Sequence, residues 1–406
     1  MKRSTKLGLL GSLYFSQGLP FGFFTQALPV MLRRQGFSLG EIGLSSLLAL
    51  PWALKFLWAP VLDGVWARRF GRRRSWIVPL QLASVGILAT LAASSLLEQR
   101  TALFGVVLLL NLIAATQDIA TDGLALDLLG PAERGLANGL QVAGYRVGMI
   151  AGGGLILALY DQLGGVGSFL SMAALMAVAT LPILTLREPA PVDDRPRDAV
   201  HFLRRPGAAR LLLIVITYKA GDAFAGGMLR PFLADAGLGL TDLGWLLGTA
   251  GFVAGLLGAL CGGALVSPLG RRRALVAFGL LQAASIAGYA YVAAGTPTRA
   301  ALYVACTAEF FAGGMATAAL FTSMMDWCSR ATGATDYSVL ASAVVIATGA
   351  TAALSGFSAQ AAGYAGHFGV ATVLSLGAVL AVLLWLPSAP ARRRLATDTQ
   401  EVLPCL

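Results

Sequence analysis

The 406-residue sequence has few of the side chains that bind metal ions or form cross-links. It contains two histidines and four cysteines, and the cysteines lie in or beside apolar segments or near the C-terminus. Their spacing matches neither a disulfide framework nor a metal site. The sequence also lacks an HExxH motif and any nucleophile–base constellation. We therefore expect a protein without a metal or other cofactor that is not an enzyme.

Charged residues are also scarce. They make up 12% of the chain, against roughly 25% in soluble domains. Hydrophobic residues make up 57%, more than a single soluble core could bury, so the lipid bilayer is the expected solvent. The net charge of +10 comes from short basic clusters between apolar runs. Nucleic-acid binders instead carry exposed basic faces with interleaved aromatic residues, so we expect no nucleic-acid partner.

The apolar residues form twelve stretches, each near the length of about 20 residues that a membrane-spanning helix requires. These stretches cover approximately residues 8–32, 42–62, 75–97, 101–129, 133–160, 166–186, 209–232, 242–266, 274–294, 299–325, 338–362 and 368–387. We predict an all-α polytopic membrane protein with an N-terminal six-helix half (1–186) and a C-terminal six-helix half (209–387). A hydrophilic linker (187–208) joins the halves, and a tail (388–406) follows.

The two halves carry a similar motif. In the first, "GEIGLSSLL" (40–48) precedes "FGRRRSWIV" (70–78), and in the second, "TDLGWLLG" (241–248) precedes "LGRRRALVA" (269–277). A parallel repeat of six-helix halves is typical of transporters, whose binding site is expected between the halves near the middle of the membrane.

Lysine and arginine residues concentrate on one side of the predicted spans. With the N-terminus inside, the two Gly-Arg-Arg-Arg loops, the linker arginines and the basic ends of the chain all lie in the cytoplasm. This asymmetry predicts an inner-membrane protein with both termini and the linker in the cytoplasm.

The loop after the second span combines an acid, a glycine and a basic cluster. Its members are Asp63, Arg68, Arg69, Gly71, Arg72 and Arg73. One interpretation is that the arginines only anchor the cytoplasmic face. The combination also resembles the loop signature of the major facilitator superfamily, in which this loop makes charge contacts that hold the halves together. The resemblance therefore implies a cytoplasmic gate.

Eight ionisable residues lie well inside the predicted spans, namely the cations Lys55, Arg146, Lys219 and Arg230 and the acids Asp118, Asp122, Asp222 and Glu309. A charge at membrane depth costs about 2.5 kcal/mol or more unless it is paired or faces water. Because Asp118 and Asp122 are four residues apart, they share a helix face and require an opposing cation. Lys55 and Arg146 are the candidates.

These charges allow two interpretations. In the first, they are buried ion pairs that set helix packing. In the second, they form a pathway for substrate and protons, and Gln117, Tyr145 and Tyr218 contribute polar groups to its lining. Lys219 and Asp222 share a face of the seventh span, and Glu309 lies in the middle of the tenth. The functional interpretation is favoured for Asp222 and Glu309, because a carboxylate near a cation in a partly dry cavity suits proton coupling.

Five motifs together resemble one branch of the major facilitator superfamily. They are "LYFSQGLPFGF" (13–23), "LPWALKFLWAPVLD" (50–63), "ATQDIATDGLALDLL" (115–129), "GYRVG" (144–148) and "YKAGDAF" (218–224). This branch contains AmpG-type muropeptide permeases, acetyl-coenzyme A transporters and RhtX/FptX siderophore importers. The resemblance implies a carrier of a small solute, for which a monomer is the default state, and the buried acids and cations predict that protons drive it.

The chain length favours one member of this branch. AmpG-type permeases typically have two further helices, so the compact chain looks closest to the RhtX/FptX type, and siderophore import is the expected function. Muropeptide import is the alternative. An acetyl-coenzyme A transporter and a membrane scaffold or receptor are more distant alternatives.

Overall fold

The computed structural model describes residues 2–34, 48–93, 100–188, 200–295, 297–329 and 331–386. Over these ranges the chain is helical, without a β-strand. The predicted tail 388–406, the linker residues 189–199 and residues 42–47 of the second predicted span lie outside the described residues.

Twelve long helices occur within the described ranges, and each overlaps one of the predicted spans. They are α1 (Arg3–Gly22, Phe23–Ala27 and Leu28–Arg34), α2 (Leu50–Leu54, Lys55–Leu57 and Ala59–Gly64), α3 (Arg74–Ala93), α4 (Arg100–Leu128), α5 (Arg134–Met149, Ile150–Leu155 and 156–163), α6 (165–184), α7 (Ala208–Tyr218 and Ala220–Asp235), α8 (Leu240–Leu243, Gly244–Ala250 and Gly251–Leu269), α9 (Arg271–Ala294), α10 (Arg299–Trp327), α11 (333–362) and α12 (364–385).

Two glycines separate helices that otherwise follow one another without a loop. Gly164, with φ of 64°, divides α5 from α6, and Gly363, with φ of 66°, divides α11 from α12. Positive φ is readily available only to glycine. By length and composition, eight helical stretches of the described chain could cross a membrane, and one of them, Gly333–Trp385, contains both α11 and α12.

The second span is less regular than the sequence predicts. We expect a continuous helix, but α2 tightens into a 3₁₀ turn at Lys55–Leu57 between two short α-helical pieces. Pro60 explains this break, because proline has no N–H and its ring clashes with the carbonyl group four residues earlier. The backbone N–H of Trp58 instead donates to the Lys55 carbonyl oxygen at 3.3 Å. Lys55 therefore lies at an irregular turn.

Glycines bring α1 and α5 into close contact. A Cβ atom at Gly18 would collide with the backbone of Tyr145 and Gly148, and one at Gly148 would collide with the backbone of Phe15. Small residues allow this backbone approach in membrane helices, a role that suits the glycine-rich run 148–154. Both helices depart locally from α-helical geometry, with π-helical turns at Phe23–Ala27 and Ile150–Leu155.

The chain folds as two compact units. The first joins Met1–Ala208 with Ser323–Ile346, and the second joins Ala209–Thr322 with the described residues from Ala347 onward. The C-terminal end of α10 and the start of α11 thus belong to the first unit. The domain boundaries drawn from the sequence remain a prediction.

Candidate functional site

Lys55 is enclosed by the first unit and faces two carboxylates of α4. Its side chain is 3% exposed, its ammonium group donates a hydrogen bond to Asp118 Oδ2, and Asp122 Oδ2 lies 3.8 Å from Nζ. The irregular turn of α2 and the four-residue spacing on α4 bring these groups together. The structure thus contains the pairing that the sequence suggested, with two acids against one lysine.

Asp122 has further hydrogen-bond donors, from α1 and α5. The Tyr14 hydroxyl donates to Asp122 Oδ1 at 2.9 Å, and Gln141 Nε2 donates to the same oxygen at 3.4 Å. Tyr14 is almost completely buried. Sequence reasoning missed Tyr14, although it lies in the quoted motif "LYFSQGLPFGF".

Three aromatic rings lie beside this charged cluster. The ring centroids of Phe21 and Trp52 are 5.5 Å apart, those of Phe21 and Tyr145 are 5.6 Å apart, and those of Trp52 and Tyr145 are 6.3 Å apart. Lys55 Nζ lies 5.9 Å from the centroid of Trp52, close enough for a cation–π interaction. The Trp52 indole N–H donates to Asn111 Oδ1 at 3.4 Å, which orients the ring.

The other predicted site residues of the first unit, Gln117 and Arg146, are next in sequence to Asp118 and Tyr145. Gln117 is buried, and its Nε2 donates to Ser16 Oγ at 3.1 Å, so its amide takes part in helix packing. Ser16 Oγ also accepts a hydrogen bond from Gln81 at 2.9 Å. Arg146 follows Tyr145 on α5 and is half-buried.

The second unit contains a corresponding group of charges on α7 and α10. Lys219 Nζ and Asp222 Oδ2 are 2.5 Å apart. α7 is interrupted at Lys219, whose φ of −105° and ψ of 1° are not helical. Glu309 lies nearby: a Cβ atom at Gly313 would be 3.2 Å from Glu309 Oε1 and 3.8 Å from Asp222 Oδ1. This unit, too, brings two acids together, and one of them pairs with a lysine.

A glutamine from α9 joins this second group. The same Cβ position at Gly313 would be 3.3 Å from Gln282 Nε2, and that nitrogen is buried without a hydrogen-bond partner among the described residues. Sequence reasoning missed Gln282, because one amide on an apolar helix is a weak signal. Tyr218, which it did select, donates its hydroxyl to the Leu275 carbonyl oxygen at 2.7 Å, a contact that joins α7 to α9.

The predicted gate residues divide into a buried set and an exposed set. Asp63 Oδ1 is 3.0 Å from an Arg72 nitrogen and 2.8 Å from an Arg73 nitrogen. Arg73 is completely buried and also contacts Asp127 at 3.1 Å. Arg68 and Arg69 are exposed and lie outside this cluster. Their exposure agrees with the simpler interpretation of these two residues as anchors of the cytoplasmic face.

The segment around residues 331–336 contacts the predicted gate residues within the first unit. The backbone N–H and hydroxyl of Thr335 donate to Asp63 Oδ2 at 2.8 Å and 2.6 Å. Arg72 donates to the Ala331 carbonyl oxygen at 2.9 Å. Both Ala331 and Thr335 lie in Ser323–Ile346, the segment that belongs to the first unit. Sequence reasoning missed Thr335, because only folding brings it to Asp63.

Gly71 and Glu188 position the arginines. Gly71 has φ of 96°, which favours glycine, and its Cα faces the Glu188 carboxylate. That carboxylate accepts hydrogen bonds from the backbone N–H groups of Arg73, at 3.0 Å, and of Arg74, at the start of α3. Burial raises the pKa of the Glu188 carboxyl, while the two N–H groups act in the opposite direction. Sequence reasoning assigned Glu188 only to the linker.

Within the described ranges, no group of three or more histidine, cysteine, aspartate or glutamate side chains is arranged to hold a metal ion. The site chemistry consists of buried ion pairs, amides and aromatic rings. Such an arrangement can bind a polar solute and exchange protons.

Comparison with known proteins shows which protein family the chain belongs to. Its sequence matches the Major Facilitator Superfamily over residues 10–293. It is 36% identical to the anhydromuropeptide permease of Escherichia coli K12 over 354 residues, which cover 83% of this chain and 70% of the permease. It is 27% identical to a Rickettsia felis protein that carries the name transporter AmpG 4, with 91% of this chain and 93% of that protein covered.

Solved structures show the same fold. The transporter FucP in its outward conformation superimposes with a TM-score of 0.73 at 15% identity, covering 94% of this chain and 99% of FucP. The human organic anion transporter TETRAN superimposes with a TM-score of 0.71 at 17% identity, with the same coverage. The all-α fold predicted from the sequence is confirmed, and the chain belongs to the Major Facilitator Superfamily of membrane transporters.

Proposed function

We propose that this protein is an inner-membrane importer of anhydromuropeptides. The observation that carries the proposal is the 36% identity to an anhydromuropeptide permease over 83% of the chain. The relatives named above therefore favour the alternative substrate of the sequence analysis over the expected siderophore. The compact chain length, which suggested the siderophore type, is a weaker argument than identity through most of both halves.

We further propose that import is driven by protons. Each unit holds a lysine–aspartate pair with a second acid close to the aspartate. In the first unit Lys55 pairs with Asp118, and Asp122 is the second acid; in the second unit Lys219 pairs with Asp222, and Glu309 is the second acid. A carboxyl group in a largely dry site favours its neutral form, while a nearby cation favours the ionised form. A conformational change can therefore release or bind a proton there.

Uptake into membrane vesicles that contain the full chain tests the proposed function. Radiolabelled anhydromuropeptide is supplied with an inward proton gradient, and a labelled ferric siderophore is supplied in parallel. We expect accumulation of the muropeptide and not of the siderophore, compared with vesicles without the protein. Accumulation of the siderophore alone would reverse the proposal.

A further inference from the structure

We propose that Gln282 of α9 donates a hydrogen bond to the ionised carboxylate of Glu309, and thereby sets the pH range in which this acid exchanges its proton. This inference rests on the proposed function, because it gives the proposed proton coupling a positioning residue in the second unit. The ion pair of this unit, between Lys219 and Asp222, does not include Gln282.

Three polar side chains from three helices meet at Gly313 of α10. A Cβ atom at this glycine would lie 3.2 Å from Glu309 Oε1, 3.3 Å from Gln282 Nε2 and 3.8 Å from Asp222 Oδ1. Glu309 lies one turn before Gly313 on the same face of α10. The missing side chain therefore lets the amide nitrogen and the carboxylate oxygen face the same small volume.

Gln282 brings an unused donor to this volume. Its residue is 2% exposed, and its Nε2 has no hydrogen-bond partner among the described residues. A buried amide N–H is normally hydrogen-bonded, and leaving it unpaired is unfavourable. Hydrogen bonds to an ionised carboxylate are stronger than those between neutral groups. The amide therefore gains most from Glu309 when that carboxyl group is charged.

Two buried amides of the first unit show a different arrangement. Gln81 Nε2 and Gln117 Nε2 both donate to the Ser16 hydroxyl, at 2.9 Å and 3.1 Å. These bonds join helices through a neutral acceptor, so their strength does not depend on the ionisation of a carboxyl group. Packing alone would be served by a bonded amide of this kind. Gln282 instead faces carboxylates.

The helices that pack around this site carry further titratable groups. They include Lys219 and Asp222 on α7, Tyr289 on α9, Cys306 on α10 and His367 on α12. Lys219 and Asp222 are paired at 2.5 Å, and His367 Nε2 lies 3.1 Å from the Phe224 carbonyl oxygen. The Tyr289 hydroxyl is the competing donor, because it is buried close to Cys306 and Glu309.

The proposed hydrogen bond makes the stability of the protein depend on pH. The Gln282 amide stabilises the folded protein most at high pH, where Glu309 is ionised, and less at low pH, where it is protonated. Removing the donor should therefore destabilise the protein more at high pH than at low pH. It should also let Glu309 keep its proton to a higher pH.

Thermal unfolding of the purified full chain in detergent tests this without substrate. Gln282→Leu should lower the melting temperature about twice as much at pH ~8 as at pH ~5. This pH dependence should vanish when Glu309→Gln is also present. Gln81→Leu is the matched control, because loss of its bond to the neutral Ser16 hydroxyl should lower the melting temperature equally at both pH values.

Gly313→Ala decides the question if Gln282→Leu does not fold. Its methyl group would lie 3.2 Å from the Glu309 oxygen and 3.3 Å from the Gln282 nitrogen, and would keep these atoms apart. We expect the same larger loss of stability at high pH. Gly288→Ala on α9 is its control, since no described atom of another helix comes within 4 Å of the added Cβ.

Exchange of labelled for unlabelled anhydromuropeptide extends the test to transport. Vesicles that contain the full chain are held at equal pH on both sides, and the pH is varied. The pH at which exchange falls to half should rise by about one unit in Gln282→Leu. Exchange by Glu309→Gln should not change over the same range, because this variant cannot lose a proton there.

The outcomes separate this inference from the proposed function. If the stability pattern is found but the wild type does not import anhydromuropeptide, the proposed function is wrong and the role of Gln282 stands. If the wild type imports it, but Gln282→Leu and Gly313→Ala lower the melting temperature equally at both pH values, the inference is wrong.

Two further results would also overturn it. The same pH pattern in Tyr289→Phe, and not in Gln282→Leu, would assign the donor to Tyr289. A pattern that persists with Glu309→Gln but vanishes with Asp222→Asn would assign the acid to Asp222.

Discussion

The guanidinium group of Arg73 lies directly against Gly123 of α4: a Cβ atom at position 123 would be 2.5 Å from Arg73 Cζ. The missing side chain leaves space for a completely buried arginine to contact both Asp63 and Asp127. A glycine in the last turns of α4 thus leaves room for a buried charge among the predicted gate residues.

We predict that Gly123→Ala destabilises the protein. The methyl group would displace the buried guanidinium, and overpacking of this kind costs about 1–3 kcal/mol before any loss of the ion pairs. Thermal unfolding of the purified protein in detergent measures the effect. Gly105→Ala is the control, since it lies on the same helix and no described atom comes within 4 Å of the added Cβ. Equal melting temperatures for both variants would contradict the packing argument.

A second prediction concerns the lysine of the first unit. Lys55→Met leaves Asp118 buried without its closest cation, and breaking a buried pair costs about 3–5 kcal/mol. We expect strongly reduced folded protein and uptake. Adding Asp118→Asn should restore more than adding Asp122→Asn, because Asp122 keeps hydrogen bonds from Tyr14 and Gln141. The yield of monodisperse protein and vesicle uptake are the measurements.

The outcome of the double variants also separates packing from transport. If the Lys55→Met and Asp118→Asn double variant recovers stability but not uptake, the pair takes part in transport. If it recovers both, the pair only holds the helices together. Normal uptake by Lys55→Met alone would remove this residue from the candidate site.

A third prediction concerns the site of energy coupling. A protonophore should stop accumulation of substrate by the wild type. Asp222→Asn or Glu309→Gln should abolish accumulation but preserve exchange of labelled for unlabelled substrate, since exchange requires no net proton movement.

Asp235→Asn is the matched control for this experiment, because Asp235 is an exposed acid at the end of α7, bonded to Tyr364. If Asp222→Asn and Glu309→Gln both still accumulate substrate against a gradient, the coupling acid lies in the first unit, at Asp118 or Asp122. If the protonophore has no effect, the proposal of proton coupling itself fails.

The fourth prediction concerns topology. The distribution of lysine and arginine predicts that both chain ends and the 187–208 linker lie in the cytoplasm. A fluorescent-protein fusion after residue 198 and another at the C-terminus should fluoresce, and the matching alkaline phosphatase fusions should be inactive. Active phosphatase at either position would contradict the predicted orientation of the twelve helices.

Much of the architecture follows from the sequence, because membrane insertion depends on local hydropathy. Each span is recognised from about 20 consecutive residues without knowledge of its neighbours. The breaks at Lys55 and Lys219 are harder to predict. Pro60 signals the first, but how the chain accommodates a proline depends on the surrounding helices. The pairing of Lys219 with Asp222 needs only helical spacing.

Sequence reasoning therefore determined the class of protein, its apolar helices and the set of buried charges that must find partners. The tertiary structure decided which partners they find. Tyr14 and Asp122 are 108 positions apart, and Asp63 and Thr335 are 272 apart. Such contacts depend on the rotation and depth of each helix against its neighbours. Those are set by close packing at residues such as Gly18 and Gly123, and no local pattern in the sequence encodes them.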